Sequence, residues 1–405
     1  MNRHITADTA ALPFIDLSAL AEEPHAAFAA LRKEHAIIQV GERQYMALRA
    51  HDVLAMLGDP RTIQVEGPDY VELNGIPDGV VARFLKDIFL FGNGDAHRAK
   101  RGLFARTFAH GAIREARPRI RAVADAIVAD LPRSESFDFI ERMAARVPAE
   151  MIAAILGLPG SEVPYFTRHA CTVARALTPV YPHRHHREIE DAALHLSTYV
   201  EEHMLARMVE PRDDVLSKLV ADWRSNQVIP FPSLVHQVLG IILGGSDTTR
   251  AAFAMLVALL VQHPRQWRLV KDDQALIPGA VAEALRYEPS VGSVARFTTA
   301  PVEVGGVLLP AGVMLRVSTM SAMRDPALYA DPDRFDIRRC DHPRMHPVFG
   351  AGPHRCIGEM LARLEMQEGL DALVCAVREI EIETHPRMTG CGGIRQISPM
   401  RVRIR

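Results

Sequence analysis

Between Pro232 and Pro264 the chain carries a long apolar segment, Ser233 to His263, and no other stretch limits its fold so strongly. As a helix rising 1.5 Å per residue it spans roughly 45 Å, enough to cross a large domain. It is apolar all round in Val-Leu-Gly-Ile-Ile-Leu and again in Ala-Met-Leu-Val-Ala-Leu-Leu-Val, so it belongs inside the molecule with other helices around it. Its middle breaks into Gly244-Gly245-Ser246-Asp247-Thr248-Thr249. Two interior glycines cost about 1 kcal/mol each relative to alanine, and a buried Asp and two Thr need polar partners. A cost of that kind marks a site. Thr248 follows Gly244 by four residues, so its hydroxyl can bond back to that carbonyl, loosen the helix and leave a groove for a small ligand. An acid and an alcohol side by side at such a groove could relay protons.

The second constraint is the run Phe-Gly-Ala-Gly-Pro-His-Arg-Cys-Ile-Gly, Phe349 to Gly358, followed by apolar residues at helical spacing from Glu359 to Ala372. Glycines at this density suit a backbone with unusual dihedrals or a close approach to another body. Cys356 falls at or just before a helix N-terminus, where the dipole and unpaired N–H groups favour a thiolate, the metal-binding form. No Cys or His stands nearby at finger-like spacing, which argues against a structural zinc site. Two readings stay open on these residues alone: a small buried hydrophobe, or the protein ligand of an iron whose other ligands come from a macrocycle.

The loop resembles the haem-ligand loop of the cytochrome P450 family, Phe-Gly-x-Gly-x-His-x-Cys-x-Gly, at every fixed position: Phe349, Gly350, Gly352, His354, Cys356 and Gly358. The resemblance implies a haem b (iron protoporphyrin IX) ligated by Cys356, with Phe349 packed near the sulfur. Four further motifs follow the family in order. His97 and Arg101, on one face of a helix, match a pair that binds a haem propionate; Arg296 and His354 match two more propionate partners. Gly244-Gly245-Ser246-Asp247-Thr248-Thr249 is similar to the oxygen-binding motif, which gives Asp247 and Thr248 proton delivery during oxygen activation. Glu283-Ala-Leu-Arg286 and the arginine of Pro332-Asp333-Arg334-Phe335 match a structural Glu-Arg-Arg network that steadies the segment carrying Cys356. Met323 stands where bacterial relatives usually have Asn, which leaves a local hydrogen bond in question.

The expected fold is therefore mainly α with small β-sheets, the cytochrome P450 fold, as one domain over residues 1–405 with residues 1–15 as an N-terminal arm. Aromatic content of 6% suits helices more than sheets. In chain order, helices are expected over 24–35, 50–57, 112–131 and 139–156, a hairpin over 36–49, and strands with a Gly-Gly turn after Glu288-Pro289. Residues 61–92 read as an irregular, apolar loop. By resemblance this loop roofs a substrate chamber, giving Phe84, Ile88 and Phe89 as lining residues together with Leu243, Gly244, Val294 and Thr389, the last on a C-terminal hairpin. The Pro- and His-rich stretch 177–187 reads as a solvated loop in preference to a metal site.

A net charge of −2 with both signs spread along the chain shows no nucleic-acid footprint. Five widely spaced cysteines and no leader-like apolar N-terminus suit a reducing, cytoplasmic setting without a membrane anchor. No flavin or nicotinamide motif and no iron–sulfur cysteine set is present. Electrons are thus expected from a ferredoxin or flavodoxin with its NAD(P)H reductase, docked by Arg98, Lys100, Arg106, Arg338, Arg339, Arg344 and Arg355. The implied reaction is O2-dependent hydroxylation, O-dealkylation or epoxidation of a small to medium hydrophobic substrate. A peroxide-driven enzyme and a non-enzymatic haem sensor are the rivals, and neither needs the Asp247–Thr248 pair.

Overall fold

The computed structural model describes residues 12–20, 23–178 and 181–405, so most of the expected N-terminal arm lies outside the described residues. Helix α1 (Pro24–Glu34) starts on a proline, whose missing N–H costs nothing in a first turn. The hairpin β1 (Ile37–Gly41) and β2 (Gln44–Ala47) follows, then α2 (Ala50–Gly58) and β3 (Thr62–Ile63). The segment expected to be irregular is largely helical, with α3 (Gly67–Leu73) and α4 (Val80–Asp87) on either side of the turns at Asn74-Gly75 and Asp78-Gly79. The turn residues dominate the reading of this stretch, although Val80 to Asp87 has one apolar face at helical spacing.

Helix α5 (Gly94–Gly102) carries His97 and Arg101. The single helix expected over 112–131 is two, α6 (His110–Glu115) and α7 (Arg117–Ala129), because Pro118 cannot continue a hydrogen-bond ladder and instead opens α7. Strand β4 (Phe137–Asp138) and a π-helical turn, Ile140–Ala144, lead into α8 (Arg146–Leu156), which Gly157 closes in the left-handed region at φ 81°. Then come α9 (Val163–Ala174), α10 (His186–Val209), α11 (Val215–Asn226) and the long apolar helix α12 (Phe231–Gln262). Pro264 opens the next helix, α13 (Pro264–Asp272), followed by α14 (Ile277–Tyr287). Strands β5 (Val294–Thr298), β6 (Val302–Val304), β7 (Val307–Leu309) and β8 (Met314–Val317) precede the short α15 (Thr319–Ala322). Helix α16 (Glu359–Ala376) and strands β9 (Ile380–Thr384), β10 (Met388–Thr389), β11 (Gln396–Ile397) and β12 (Arg401–Ile404) end the chain.

Tertiary contacts divide the chain into two compact units, each assembled from three separated segments. The first comprises Met1–Val65, Ala254–Cys356 and Ile382–Met400, the second Glu66–Phe253, Ile357–Glu381 and Arg401–Arg405. No linker marks the division, which is why the sequence reads as one domain. The first unit holds a five-stranded sheet in the order β1-β2-β8-β5-β3, with β2 parallel to β8 and the other pairs antiparallel. Ile37, Val53, Val302, Leu315 and Val317 fill its core. The β6–β7 turn uses Gly305 and Gly306 at φ 58° and 83°, a conformation that suits a two-residue hairpin.

The second unit is helical. Its core joins α4, α8, α9, α10 and the first part of α12 through Phe84, Ile152, Phe166, Leu196 and Leu239. Helix α16 packs here as well: a Cβ at Gly369 would lie 2.8 Å from the Phe253 ring, so only glycine permits this approach. By length and composition α12 could cross a membrane, yet 78% of its most apolar stretch is buried inside the molecule. It is a core helix.

Candidate active site

In the first unit the cysteine loop is shaped by backbone more than by side chains. Gly350 and Gly352 take φ 70° and 66°, a region costly for residues with a Cβ. The Cys356 N–H donates to Phe349 O at 2.8 Å and Arg355 Nη1 donates to Gly350 O at 3.0 Å, closing the loop on itself. Cys356 is exposed, which removes the buried-hydrophobe reading, and it precedes α16 by three residues, as expected. Phe349 is held edge-on to His346, 6.0 Å between ring centres, and His346 Nε2 is 3.1 Å from Ala282 O of α14.

The network beneath this loop differs from the sequence expectation in one member. Glu283 and Arg286 form a fully buried bidentate pair at 2.7 and 2.8 Å, and Arg286 also donates to the carbonyls of Met323, Pro332 and Arg334. The third arginine is Arg339, 3.3 Å from Glu283, and not Arg334. The Arg334 side chain is 67% exposed and pairs with Asp336, contributing only its carbonyl to Arg286 and Arg339. Five residues along the extended chain place a side chain elsewhere, and only tertiary packing selects which arginine enters. The Met323 substitution loses a side-chain partner, but its carbonyl accepts from Arg286 at 2.9 Å. Because Arg339 is buried, it leaves the set of docking cations; Arg338 and Arg344 stay exposed.

Arg296 on β5 is 3% exposed, with Nη1 donating to Gln64 Oε1 at 2.9 Å and to Ala295 O at 3.1 Å. Burial pushes its guanidinium down to about 10, with no carboxylate among the described residues acting to raise it. Gln64 carries no sequence signal and was not foreseen. Val294, beside Arg296, is partly buried. The hairpin of β10 and β11 forms as expected, with Thr389 exposed beside Gly390 at φ 86°. Arg395 ties it down, donating to the carbonyls of Met388 and Gly390 and to Glu288 Oε2 at 2.6 Å.

In the second unit, α12 stays helical through Gly244 to Thr249, and Thr248 Oγ1 donates to Gly244 O at 3.3 Å. The two glycines differ. A Cβ on Gly245 would meet Ile152 at 2.8 Å, whereas one on Gly244 would meet nothing within 4 Å. Gly244 is exposed in an otherwise buried helix, and Leu243 beside it is buried. Asp247 is buried and paired with Arg250, an ion pair the sequence reading missed although the i, i+3 spacing was visible. On α5, His97 is buried, and burial together with the nearby charges of Arg101 and Arg98 disfavours its protonation.

The lid residues separate. Phe84 is fully buried in the helical core, edge-on to His236 at 6.1 Å, so it is a packing residue and not a chamber wall. Ile88 packs against α12 at Gly240, while Phe89 is partly buried and donates its N–H to Gln237 Oε1 at 2.8 Å. Asp87, between them, accepts from Lys100, Ser233 and His236; burial opposes its ionisation, but these partners hold it down to about 2. Lys100 is committed to this contact and drops out of the docking set. In the 177–187 stretch, where 179 and 180 lie outside the described residues, His186 Nδ1 is 2.7 Å from Tyr181 Oη and His185 lies 3.3 Å from Glu188.

A largely helical molecule built on a buried glycine-interrupted helix, with a glycine-shaped cysteine loop, defines a class, and comparison with known proteins supplies its family. The cytochrome P450 profile matches residues 166–386. A plant-inducible cytochrome P450 of Rhizobium radiobacter is 36% identical over 96% of this chain and 92% of its own length. The nocardicin C N-oxygenase of Nocardia uniformis subsp. tsuyamanensis is 32% identical over 94% of each. Among solved structures, a myxobacterial cytochrome P450 in complex with myristic acid matches with TM-score 0.83 and 28% identity, over 95% of this chain and 97% of its own. The chain belongs to the cytochrome P450 family, and its activity is that of a P450 monooxygenase, an oxidoreductase.

The family implies a haem cofactor, and the residues present fit one. A haem brings carboxylates and an iron that takes a thiolate. Arg296 is a buried cation on which no carboxylate of the described residues acts. Cys356 offers an exposed sulfur at a helix start. Gly244 leaves open space at the middle of α12.

Proposed function

We propose that this chain is an external monooxygenase in which Cys356 is the protein ligand of haem b and His97, Arg101, Arg296 and His354 take its propionates. When bound there, a thiolate-held haem would supply the activation of dioxygen from which one oxygen atom is passed to the substrate. The residues do the rest. The loop of Phe349 to Gly358 presents the sulfur and tunes it through its backbone N–H groups. Asp247 and Thr248 move protons, Thr248 through the hydroxyl that otherwise rests on the Gly244 carbonyl. Glu283, Arg286 and Arg339 keep the preceding segment from shifting. The observation that carries this reading is the open space at Gly244 beside an acid and an alcohol, since neither a peroxide-driven enzyme nor a ligand sensor has use for a proton relay.

The substrate is a small to medium hydrophobic molecule, hydroxylated, epoxidised or O-dealkylated, with Ile88, Phe89, Leu243, Gly244, Val294 and Thr389 as lining candidates. Electrons come from a ferredoxin or flavodoxin with its NAD(P)H reductase, received at a face that includes exposed Arg338 and Arg344. A cytoplasmic location fits a core-buried α12 and an odd number of cysteines. The absorption spectrum of the reduced protein with carbon monoxide is the first test: a red-shifted band lost in Cys356→Ala is expected, and an unshifted band in the wild type overturns the ligand assignment. Turnover with NAD(P)H and a ferredoxin couple should exceed turnover with peroxide; the reverse would favour the peroxide-driven reading. Charge reversal at Arg338 and Arg344 should slow electron transfer without changing substrate affinity.

A further inference from the structure

Contacts along the seam between α9 and α10 pair rising residue numbers on one helix with falling numbers on the other, so the two helices run antiparallel. His203 Nε2 is 3.0 Å from Glu162 Oε2, Tyr165 meets Tyr199 with 5.5 Å between ring centres, and His169 meets His195 at 5.1 Å with the rings tilted by 30°. A carboxylate accounts for the first two rungs, since the Tyr199 hydroxyl also donates to Glu162, at 2.8 Å. The third has no such partner: among the described residues neither the His169 nor the His195 ring makes a hydrogen bond or ion pair. Tyr165, one turn before His169, stands edge-on to it at 4.7 Å and steadies its ring. His195 is exposed and His169 partly buried, so ions in solution reach the pair. Burial, followed by the neighbouring His195 and Arg168, disfavours protonation of His169 and leaves it in the neutral form that ligates metals.

We infer that His169 and His195 together bind one divalent transition-metal ion of the zinc class, held across the α9–α10 seam. Two imidazoles whose nitrogens lie about 2.0–2.1 Å from one tetrahedral ion have ring centres about 5.2 Å apart. The helices already hold the two rings at that separation. Among the described residues no group of three His, Cys, Asp or Glu is placed to enclose an ion, so water fills the remaining positions. The site is therefore an open, exchangeable one and not a closed structural centre. Imidazole nitrogen suits zinc, copper and nickel in preference to magnesium or calcium. A bound ion ties residue 169 to residue 195 and closes the chain between them, as metal clips do. It then favours the packed helix pair over states in which α9 and α10 part, by mass action. No residue of this site is assigned to the haem, the proton relay or the substrate, so the inference stands apart from the proposed reaction.

The test uses the haem-loaded enzyme, so that Cys356 is occupied, with Zn2+ as the probe in calorimetric titrations. The variants are His169→Ala, His195→Ala and the double variant, with His110→Ala as the control for an exposed histidine elsewhere; His169→Gln replaces His169→Ala if that variant does not fold. Wild type should bind Zn2+ at a site whose affinity falls at least about tenfold in each single variant. The double variant should bind no more weakly than the weaker single one, because chelation is already lost when either ring is removed. His110→Ala should match wild type. Saturating Zn2+ should raise the melting temperature of wild type by at least about 1 °C, an increase lost in the double variant and not produced by Mg2+. Absence of Zn2+ binding by wild type overturns the site, as does an affinity that survives either single substitution. A thermal rise that the double variant keeps, or that Mg2+ reproduces, also overturns it.

Discussion

Adjacent glycines in the middle of α12 should respond to the same substitution with opposite signs. Alanine gains about 1 kcal/mol over glycine in a helix interior. At Gly244 nothing opposes that gain, because a Cβ there has no neighbour within 4 Å. At Gly245 the new methyl would sit 2.8 Å from Ile152 Cδ1 and Cγ1, and overpacking of this kind costs about 1–3 kcal/mol. Gly244→Ala should thus stabilise the cofactor-free protein by about 1 kcal/mol, and Gly245→Ala should be neutral or cost up to about 2 kcal/mol. In thermal unfolding of matched cofactor-free samples the first shift is upward by about 1–2 °C for a chain of this size. The family motif accepts alanine at this position, so the space is tested with a larger side chain: with haem bound, Gly244→Val should cut product formation severalfold. A fall in melting temperature for Gly244→Ala would refute the open-space geometry. A rise for Gly244→Ala together with undiminished product formation by Gly244→Val would leave the geometry intact and refute its assignment to the reaction.

Other expectations follow from the buried charges. Arg339→Ala should cost about 1–3 kcal/mol, since Glu283 keeps its bidentate pair with Arg286, while Arg334→Ala should change stability by no more than about 0.5 kcal/mol, read by thermal melts; equal costs would restore Arg334 to the network. Arg296→Met should leave the cofactor-free protein as stable as wild type or more so, because it removes a buried cation on which no carboxylate of the described residues acts, yet weaken haem retention measured by dialysis against apomyoglobin. Glu365 in α16 is 2% exposed with Oε1 lacking a hydrogen bond among the described residues, and burial raises its pKa well above the ordinary 4.5. Below about pH 4.5 both folded and unfolded chains carry the proton; above it only the unfolded chain ionises, so wild-type stability declines with rising pH until the folded pKa is passed. Glu365→Gln should flatten that decline by at most about 1.4 kcal/mol per pH unit, and parallel stability–pH curves for the two proteins would count against the raised pKa.

The local sequence was enough to place α12, its Gly244–Thr249 interruption and the glycine-rich cysteine loop, because each depends on short-range rules: apolar residues all round a helix, the interior cost of glycine, and a thiol just ahead of a helix start. The Thr248 bond to Gly244 was likewise a matter of four-residue spacing. The short helices inside 61–92 were passed over because the turn residues around them dominate the stretch, although Val80 to Asp87 is one-sided at helical spacing, and the break at Pro118 was likewise written in the sequence but passed over. Choices among similar residues lay beyond it. Arg334 and Arg339 are both arginines a few residues past the same proline, and only packing around Glu283 and Tyr329 buries one and leaves the other in water. Phe84 and Phe89 look alike as apolar loop residues, yet one is sealed in the core and the other stays at its edge. Gly244 and Gly245 are indistinguishable as letters; the Ile152 side chain, more than 90 residues earlier, makes one a packing contact and leaves the other facing open space. What the sequence alone determined was therefore the chemistry this chain can hold, since residue type and spacing set that. Which copies of each residue perform it was decided by the tertiary structure, because burial and charge pairing depend on neighbours that are distant along the chain.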